Sequence, residues 1–298
     1  MPTINLLKGV NGYLEEKAKK NDRDYTYFHA SSWDFCRARD EGDTPGMYKH
    51  HRQVAYSVYE AHKYIQIDPK LVKINPGLER IFDNGHWAHV RWRHYLENTA
   101  PGALWGRWMC KNPIHKEPKV YGADKKLGCP KPDVCECGQN MLAYQEVGFS
   151  DKETLWGGHV DAIIDARRWP YKKGVAKEEK DPQSFFVVVD FKTMNPFSFK
   201  ALEEPKPEHK TQMQIYLYLS GLKLGKFVYE NKADQTVKEF VVDFDEELME
   251  KKRQEAIFMN HLVNHTNSKG NHVLPKRGFE EKDNKTCLQC KFKEHCWA

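Results

Sequence analysis

The fold of this chain is decided by one stretch, Phe185-Phe186-Val187-Val188-Val189-Asp190-Phe191-Lys192-Thr193. It is apolar on both faces before the charges begin, which is typical of a strand buried in the middle of a sheet. Because side chains two apart share a face of a strand, Asp190 and Lys192 are expected to project together from its end. Charged groups there are costly to bury unless an ion pair, hydrogen bonds or a bound cation compensates. The stretch alone favours a plain ion pair and a functional site equally.

A second apolar run precedes it, Gly157-Gly158-His159-Val160-Asp161-Ala162-Ile163-Ile164-Asp165. Asp161 lies inside this run, and the glycines before it permit a close approach of the backbone. If the two runs are neighbouring strands, Asp161 and Asp190 lie together with a lysine beside them. Two carboxylates in that setting form a hard-cation site that suits Mg²⁺ or Mn²⁺. The long charged loop between the runs, residues 167–183, leaves the register of the pair open.

Two predicted helices add polar residues to this pattern. In the first, a stripe at helical spacing turns His89 toward the core, and its members are Phe82, Gly85, His89, Trp92 and Leu96. A lone histidine on such a face is more often an ordinary core residue than a ligand. In the second helix, Gln212 and Tyr216 are four apart and share a face, which is also compatible with ordinary packing.

The remaining periodicity predicts the elements around these residues. Helices are expected over residues 47–67, 75–96 and 210–222, with a long one ending near 265. Strands are expected over residues 142–149, 155–164, 185–193, 227–229 and 236–244. Residues 102–139 show no sustained periodicity, so we expect an insert that packs poorly without help.

Four motifs occur in order, Gly85-x3-His89, Gly158-x2-Asp161, Asp190-x-Lys192 and Gln212-x3-Tyr216. Each is weak alone, but the ordered set resembles the RecB-like branch of the PD-(D/E)XK nuclease superfamily. The resemblance implies an α/β fold with a restriction-endonuclease-like core, in which a central mixed sheet is flanked by helices.

The same resemblance implies roles for individual residues. The ligands of Mg²⁺ or Mn²⁺ would be His89, Asp161, Asp190 and the backbone carbonyl of Phe191. Lys192 would position or activate the attacking water, and Gln212 and Tyr216 would shape the site around the DNA backbone. These roles are chemically consistent, because a metal-bound water is a competent nucleophile and the cation stabilises charge on the phosphate.

Three cysteines lie near the C-terminus in the pattern Cys287-x2-Cys290-x5-Cys296, and Cys36 is the one other cysteine outside the insert. A close cysteine pair suits zinc as well as iron, so a zinc knuckle is an alternative. A single early cysteine with this trio resembles RecB-like nucleases that hold a [4Fe-4S] cluster, including AddB-type recombination nucleases and CRISPR-associated four-cysteine exonucleases. The resemblance implies one structural cluster held by Cys36, Cys287, Cys290 and Cys296.

The insert carries the other four cysteines, Cys110, Cys129, Cys135 and Cys137, with His115 as a spare ligand. The segment is too polar to hold itself together, and bound zinc would supply the missing folding energy. The gap of one residue between Cys135 and Cys137 is tighter than usual, which leaves open which four groups bind. Four free thiols are the alternative.

The insert also contains aromatic and basic residues of the kind that bind single strands by stacking and phosphate contacts. These residues are Trp105, Arg107, Trp108, Lys111, Lys116, Lys119, Lys125 and Lys126. They predict a surface over the path of the DNA, and a solvated charged face is an equally good interpretation.

These patterns predict three regions. Residues 1–75 form an N-terminal helical region that contributes one cluster cysteine. Residues 76–265 form the nuclease core, with the zinc-binding insert at about 102–139, and residues 266–298 form the iron-sulfur tail.

Composition restricts the class of protein. With 40% hydrophobic and 30% charged residues in 298, the chain is typical of a globular protein rather than a disordered or fibrous one. No uncharged apolar run approaches the roughly 18 residues of a membrane helix, and no secretory signal is apparent. We therefore expect no membrane partner and a reducing cytoplasm, that of the host if the source is viral. The net charge of +5 allows nucleic acid as a partner without requiring it.

Two functions from different classes fit these features. The first is a metal-dependent DNA exonuclease that acts on single strands or DNA ends in recombination, repair or replication, together with a helicase or recombination protein. No G-x4-G-K-[ST] motif is present, so the chain is not a helicase-nuclease by itself. The second is a non-catalytic nucleic-acid-binding module in which the iron-sulfur and zinc sites are structural. A redox role ranks third, because no cofactor motif accompanies the cluster.

Overall fold

The structure is a computed structural model that describes residues 6–19, 23–33, 52–67, 75–170, 182–266, 272–275, 277, 279, 281–288 and 290–298. The chain divides into two compact units. The first unit contains Met1–Trp87, Glu153–Leu155 and Glu255–Ala298, and the second contains Ala88–Lys152 and Trp156–Gln254. None of the helices in the described ranges has the length and apolar character needed to cross a membrane.

The described residues form the helices and strands given below, each set numbered along the chain. The helices are α1 (Leu6–Lys19), α2 (Arg52–Ala61), α3 (Pro76–Thr99), α4 (Pro196–Lys200), α5 (Pro207–Ser220), α6 (Glu246–Asn264), α7 (Lys285–Leu288) and α8 (Lys293–Trp297). The strands are β1 (Phe28–His29), β2 (Leu104–Cys110), β3 (Val120–Tyr121), β4 (Cys129–Pro130), β5 (Leu142–Gln145), β6 (Val147–Ser150), β7 (Trp156–Val160), β8 (Ala162–Asp165), β9 (Phe186–Met194), β10 (Leu224–Asn231) and β11 (Val237–Asp243).

The second unit is built on a mixed sheet in the order β11-β10-β9-β8-β2-β3, with β4 and β5 also paired to β2. Strand β9 is central and pairs in parallel with β10 and antiparallel with β8, with Ala162 opposite Val189. Strands β6 and β7 form an antiparallel pair. The α/β architecture predicted from the sequence, a mixed sheet flanked by helices, is therefore confirmed.

Apolar side chains on both faces of β9 explain its central position. One face belongs to a core that includes Val189, Phe191 and Trp108, and Trp92 and Leu96 of α3 pack against this core. Helix α5 is buried along most of its length and contacts β6, β7, β9 and β10. The helix ends at Gly221, whose φ of 79° is a left-handed conformation that glycine adopts without strain.

Several predicted boundaries differ from the structure. Helix α3 begins after Asn75 as predicted, because the Asn75 side chain accepts a hydrogen bond of 2.9 Å from the Gly77 N–H. Of the helix predicted over 47–67, only Arg52–Ala61 is helical among the described residues, and residues 47–51 lie outside them. The strands predicted over 142–149 and 155–164 are each divided in two, and the second break falls at Asp161.

The insert predicted over residues 102–139 begins later than expected. Residues Leu104–Cys110 form β2, a full strand of the central sheet with alternating buried and half-buried positions. Trp108 is a core residue, and Trp105 packs edge to face against Phe186 with 4.7 Å between ring centroids. The prediction of a stacking surface is therefore wrong for these two tryptophans, since their rings serve the packing of the sheet.

In the first unit, the C-terminal tail packs on α2. The rings of Tyr56 and Phe292 are stacked with centroids 5.4 Å apart, and the Tyr56 hydroxyl donates to the carbonyl of His295 at 3.0 Å. Arg52 donates to the carbonyl of Pro275 at 2.8 Å. These contacts fix the backbone of the segment that carries the three C-terminal cysteines.

Candidate active site and metal centres

Asp190 and Lys192 project from β9 as the two-residue spacing predicts. The Nζ of Lys192 lies 2.7 Å from Oδ2 of Asp190. Asp190 is buried, whereas the lysine side chain keeps 19% of its surface exposed. The ammonium group therefore lies between a buried carboxylate and solvent.

Asp161 occupies the break between β7 and β8, next to this pair. Continuing the antiparallel register of β8 and β9 by one residue sets Asp161 opposite Asp190. Oδ2 of Asp161 accepts a hydrogen bond of 2.8 Å from the backbone N–H of Phe191. The two acidic residues of the predicted motifs are thus brought to neighbouring strands, and the register that the sequence left open is defined.

His89 reaches the same place from α3. Its Nδ1 lies 3.1 Å from Oδ1 of Asp161, and its ring packs near that of Phe191 with 5.8 Å between centroids. One turn later, Trp92 stacks on Phe191 at 5.9 Å with an interplanar angle of 15°. The predicted stripe is correct for this part of α3, but Phe82 is half exposed rather than part of the core.

Glu146 is a residue that the sequence analysis missed. The ligand atoms of His89, Glu146 and Asp161 all lie within 4.8 Å of one another, and Arg93 donates to Oε1 of Glu146 at 2.7 Å. Asp190 is not a member of this compact group, although its charge interacts with those of Asp161 and His89. The signal available in the sequence was a single carboxylate inside an apolar run, the same signal that identified Asp161.

Gln212 and Tyr216 extend the network on α5. The Nζ of Lys192 donates to Oε1 of Gln212 at 3.0 Å, and Nε2 of Gln212 donates to the hydroxyl of Tyr216 at 2.8 Å. Both α5 residues are buried. The structure therefore brings the predicted residues Asp190, Lys192, Gln212 and Tyr216 into one chain of contacts.

Burial and nearby charges shift the pKa values of Asp161 and Asp190 in opposite directions. Burial, reinforced by the charge of Asp161, raises the pKa of Asp190 to about 6 despite the opposing charge of Lys192. Burial also acts to raise the pKa of Asp161, but the hydrogen bond and charge of His89 outweigh it and the net shift is downward. For His89, burial lowers the pKa, yet the contact with Asp161 gives a net rise. Carboxylates whose environments separate their pKa values are common at functional sites.

The donor atoms of this site fit a hard divalent cation. Oδ2 of Asp190 is buried and lies 2.7 Å from Nζ of Lys192, and the buried carboxylate of Asp161 lies beside this pair. Two neighbouring buried carboxylates are costly, and a bound cation would offset their negative charge. The carboxylate oxygens of such a site suit Mg²⁺ or Mn²⁺.

A second group of potential ligands lies in the insert. The ligand atoms of Cys110, His115, Cys135 and Cys137 all lie within 4.8 Å of one another. Cys129 is not part of this group. It lies on β4, where its carbonyl accepts a hydrogen bond from Trp108 Nε1 at 3.0 Å. The predicted set with Cys129 as a fourth ligand is thus corrected, because the pairing of β2 with β4 directs Cys129 into the sheet.

The three C-terminal cysteines line one cavity, together with Tyr56, Phe292 and Trp297. They are free thiols and are half-buried. The predicted fourth ligand, Cys36, lies outside the described residues. The structure therefore brings together three of the four cysteines assigned to the cluster.

The chain is similar to known proteins over different parts of its length. The model of the PD-(D/E)XK nuclease superfamily matches residues 178–297, which include Asp190, Lys192, Gln212 and Tyr216. None of the curated proteins matches the sequence. The crystal structure of SSO0001 is similar with a TM-score of 0.43 and 14% identity, covering 98% of this chain and 95% of that chain. The crystal structure of an alkaline exonuclease (LHK-Exo) from Laribacter hongkongensis gives a TM-score of 0.42 and 12% identity, covering 81% and 89%.

At these TM-scores and identities, the structural likenesses do not establish a shared activity. The match of the family model is independent of them and covers the β9 and α5 motifs. Residues 178–297, less than half of the chain, are therefore similar to a PD-(D/E)XK nuclease superfamily domain.

Proposed function

We propose that this protein is a metal-dependent DNA nuclease that hydrolyses phosphodiester bonds. The observation that carries the proposal is the convergence of Asp161, Asp190 and Lys192 at one buried junction, with His89 beside them. A structural ion pair between Asp190 and Lys192 would not require a second buried carboxylate beside it. A divalent cation is held by more than one carboxylate, which Asp161 and Asp190 together supply.

Each side chain has a distinct task in this proposal. Asp161, Asp190 and His89 would hold the cation with the carbonyl of Phe191, and Glu146 is close enough to His89 and Asp161 to take part. When bound, the cation supplies an activated water and stabilises negative charge on the phosphate. Lys192 orients the attacking water, because its ammonium is held between Asp190 and Gln212. Tyr216 fixes Gln212 and completes the wall of the site.

We further propose that the enzyme is an exonuclease on single strands or DNA ends, active in recombination, repair or replication in a reducing cytoplasm, with a helicase or recombination protein as a partner. The support for this specificity is the resemblance of the ordered motifs and the C-terminal cysteine pattern to iron-sulfur RecB-like nucleases. Free thiols at every described cysteine suit a reducing compartment.

We also propose that Cys36, Cys287, Cys290 and Cys296 hold a structural [4Fe-4S] cluster. The support is the spacing of the cysteines and the shared cavity of the last three.

A cleavage assay on labelled DNA tests the proposed activity. Linear single strands labelled at either end, linear duplexes and circular single strands are incubated with Mg²⁺ or Mn²⁺. We expect cleavage of linear single strands or of DNA ends, its loss in Asp190→Asn, and no change in Asp165→Asn. Asp165 is a matched control, because it is buried on the neighbouring strand but is paired with Arg167. Cleavage of circles would contradict the exonuclease assignment, and equal activity in Asp190→Asn would contradict the whole proposal.

The alternative function is a nucleic-acid-binding module in which the carboxylates are inert. The same assay separates the two functions when a binding measurement is added. DNA binding without metal-dependent cleavage would support the module, whereas cleavage abolished by Asp190→Asn with DNA binding retained supports the nuclease.

A further inference from the structure

Three thiols and one imidazole converge in the insert, away from the proposed catalytic junction. Sγ of Cys110 lies 3.9 Å from Sγ of Cys137, and Nε2 of His115 lies 3.2 Å from Sγ of Cys135. Cys110 and Cys135 are buried, while His115 and Cys137 are half-buried. The four ligand atoms come from three separate parts of the chain: the end of β2, the turn after it and the turn before β5.

These distances match the edges of a zinc tetrahedron. With Zn–S bonds of about 2.3 Å and Zn–N bonds of about 2.0 Å, sulfur atoms lie about 3.8 Å apart and nitrogen lies about 3.5 Å from sulfur. The observed separations of 3.9 Å and 3.2 Å are close to these values. A disulfide is not formed, since all four insert cysteines are free.

Side chains around these four insert residues donate hydrogen bonds to the sulfur atoms. The Tyr121 hydroxyl donates to Sγ of Cys135 at 3.3 Å, and the Asn112 side chain donates to Sγ of Cys137 at 3.5 Å. The backbone N–H of Gly138 closes a turn onto the carbonyl of Cys135 at 2.8 Å, and Gly138 has a φ of 76°. Donors directed at sulfur stabilise thiolates, the form in which cysteine binds metal.

The segment between β2 and β5 has little else to stabilise it. Its regular structure is limited to β3 and β4, each of two residues. Its lysines at 111, 116, 125 and 126 are exposed, as are the apolar side chains of Ile114 and Val134. A polar segment of this kind is held in place most directly by a metal ion that links its turns.

We propose that Cys110, His115, Cys135 and Cys137 bind one structural Zn²⁺ ion, and that Cys129 is not a ligand. The ion fastens the turns of the insert to the end of β2, a strand of the central sheet. Four protein ligands complete a tetrahedron and leave no open position for a substrate, so the site is structural rather than catalytic. This assignment is independent of the nuclease activity and of the iron-sulfur cluster.

Metal analysis of the full-length protein tests the ligand set. Zinc and iron are measured separately after growth in zinc-supplemented medium, and X-ray absorption at the zinc edge counts the ligand types without interference from iron. We expect about one zinc ion per chain with three sulfur ligands and one nitrogen ligand. Cys137→Ser and His115→Ala lose most of the zinc, Cys129→Ser keeps it, and His115→Cys keeps it with four sulfur ligands.

The X-ray absorption spectrum of the wild-type protein tests the ligand set even if a variant fails to fold. Zinc surrounded by oxygen or by four sulfurs in the wild-type chain, or an absence of zinc, would overturn the assignment, as would loss of zinc in Cys129→Ser. Limited trypsin digestion gives a second readout. Chelation of the zinc should loosen the backbone of the insert and speed trypsin cleavage at its exposed lysines in the wild-type chain. A cleavage pattern unchanged by zinc removal would overturn the proposed stabilising role.

Discussion

The backbone N–H of Phe191 donates a hydrogen bond of 2.8 Å to Oδ2 of Asp161. This bond joins the strand that carries Asp190 and Lys192 to the break between β7 and β8. Because the donor is a backbone group, the position of the Asp161 carboxylate depends on the pairing of the strands rather than on a neighbouring side chain. Its other oxygen is left to face His89.

Lys192→Met should abolish most of the cleavage without abolishing metal binding. The substitution keeps the length of the side chain but removes the ammonium group between Asp190 and Gln212. We expect the turnover rate to fall about 10²–10⁴-fold, as for the loss of a group that positions or activates the nucleophile. Lys226→Met is the matched control, since Lys226 on the adjacent strand pairs with the exposed Glu239. Equal rates in the two variants would exclude a catalytic role for Lys192.

Glu146→Gln should weaken Mn²⁺ binding. The carboxylate lies within 4.8 Å of the ligand atoms of His89 and Asp161, so its negative charge is available to the cation. We expect the Mn²⁺ concentration for half-maximal activity, and the Kd from calorimetry, to rise about tenfold or more. Glu97→Gln serves as the control, because Glu97 pairs with Lys131 elsewhere in the unit. An unchanged Kd in Glu146→Gln would show that Glu146 serves only to bind Arg93.

Asp190→Asn should stabilise the metal-free protein above about pH 6. The pKa of Asp190 is raised from 3.8 to about 6 in the folded state, so the ionised form is the one that the fold disfavours. The stability of the wild type is therefore greatest, with respect to this group, below pH 3.8 and declines as the pH rises to about 6. The free energy of unfolding of Asp190→Asn should therefore exceed that of the wild type by a margin that grows over the same pH interval. We expect this margin to reach about 1–3 kcal/mol at pH 8.

Urea unfolding at several pH values, without added divalent cation, measures this difference. Saturating Mn²⁺ should reverse the order of stability, because the wild type binds the cation and Asp190→Asn binds it weakly. A stability difference that does not vary between pH 4 and pH 8 would refute the pKa assignment.

Glu230→Ala should destabilise the unit that contains the sheet. Glu230 is buried on β10 and accepts hydrogen bonds of 2.5 and 2.7 Å from Arg91 and one of 2.8 Å from Trp92 Nε1. Its loss leaves two donors of α3 without their acceptor, at a cost of about 2–4 kcal/mol in the free energy of unfolding. Glu239→Ala, which breaks an exposed pair with Lys226, should cost less than about 1 kcal/mol.

Cys287→Ser should remove the proposed iron-sulfur cluster and destabilise the protein. A cluster that joins Cys36 to Cys287 closes a loop of about 250 residues, and by the chain-entropy estimate for a crosslink this is worth on the order of 5 kcal/mol. Iron and sulfide content, visible absorbance and the unfolding midpoint are measured on anaerobically purified protein. Cys129→Ser should leave all of them near wild-type values. Loss of the absorbance without loss of stability would contradict a structural role.

Sequence periodicity was sufficient for the central strand and for the helices beside it. The run before Asp190 is apolar on both faces, and Asn75-Pro76 marks the start of α3, so the local pattern and the tertiary structure agree there. Strand β2 was not predicted because its apolar positions include Gly106 and Cys110, which carry little β signal and occur beside a polar segment. Its place in the sheet is determined by pairing with β8.

The sequence by itself determined that Asp190 and Lys192 project together, because two residues separated by one position in a strand must share a face. It also predicted the order of the motifs along the chain. Only the tertiary structure decided that Glu146 lies beside His89 and Asp161 and that His115, rather than Cys129, joins Cys110, Cys135 and Cys137. These choices depend on how strands distant in sequence pair with one another, and no local periodicity encodes the distance between side chains on different strands.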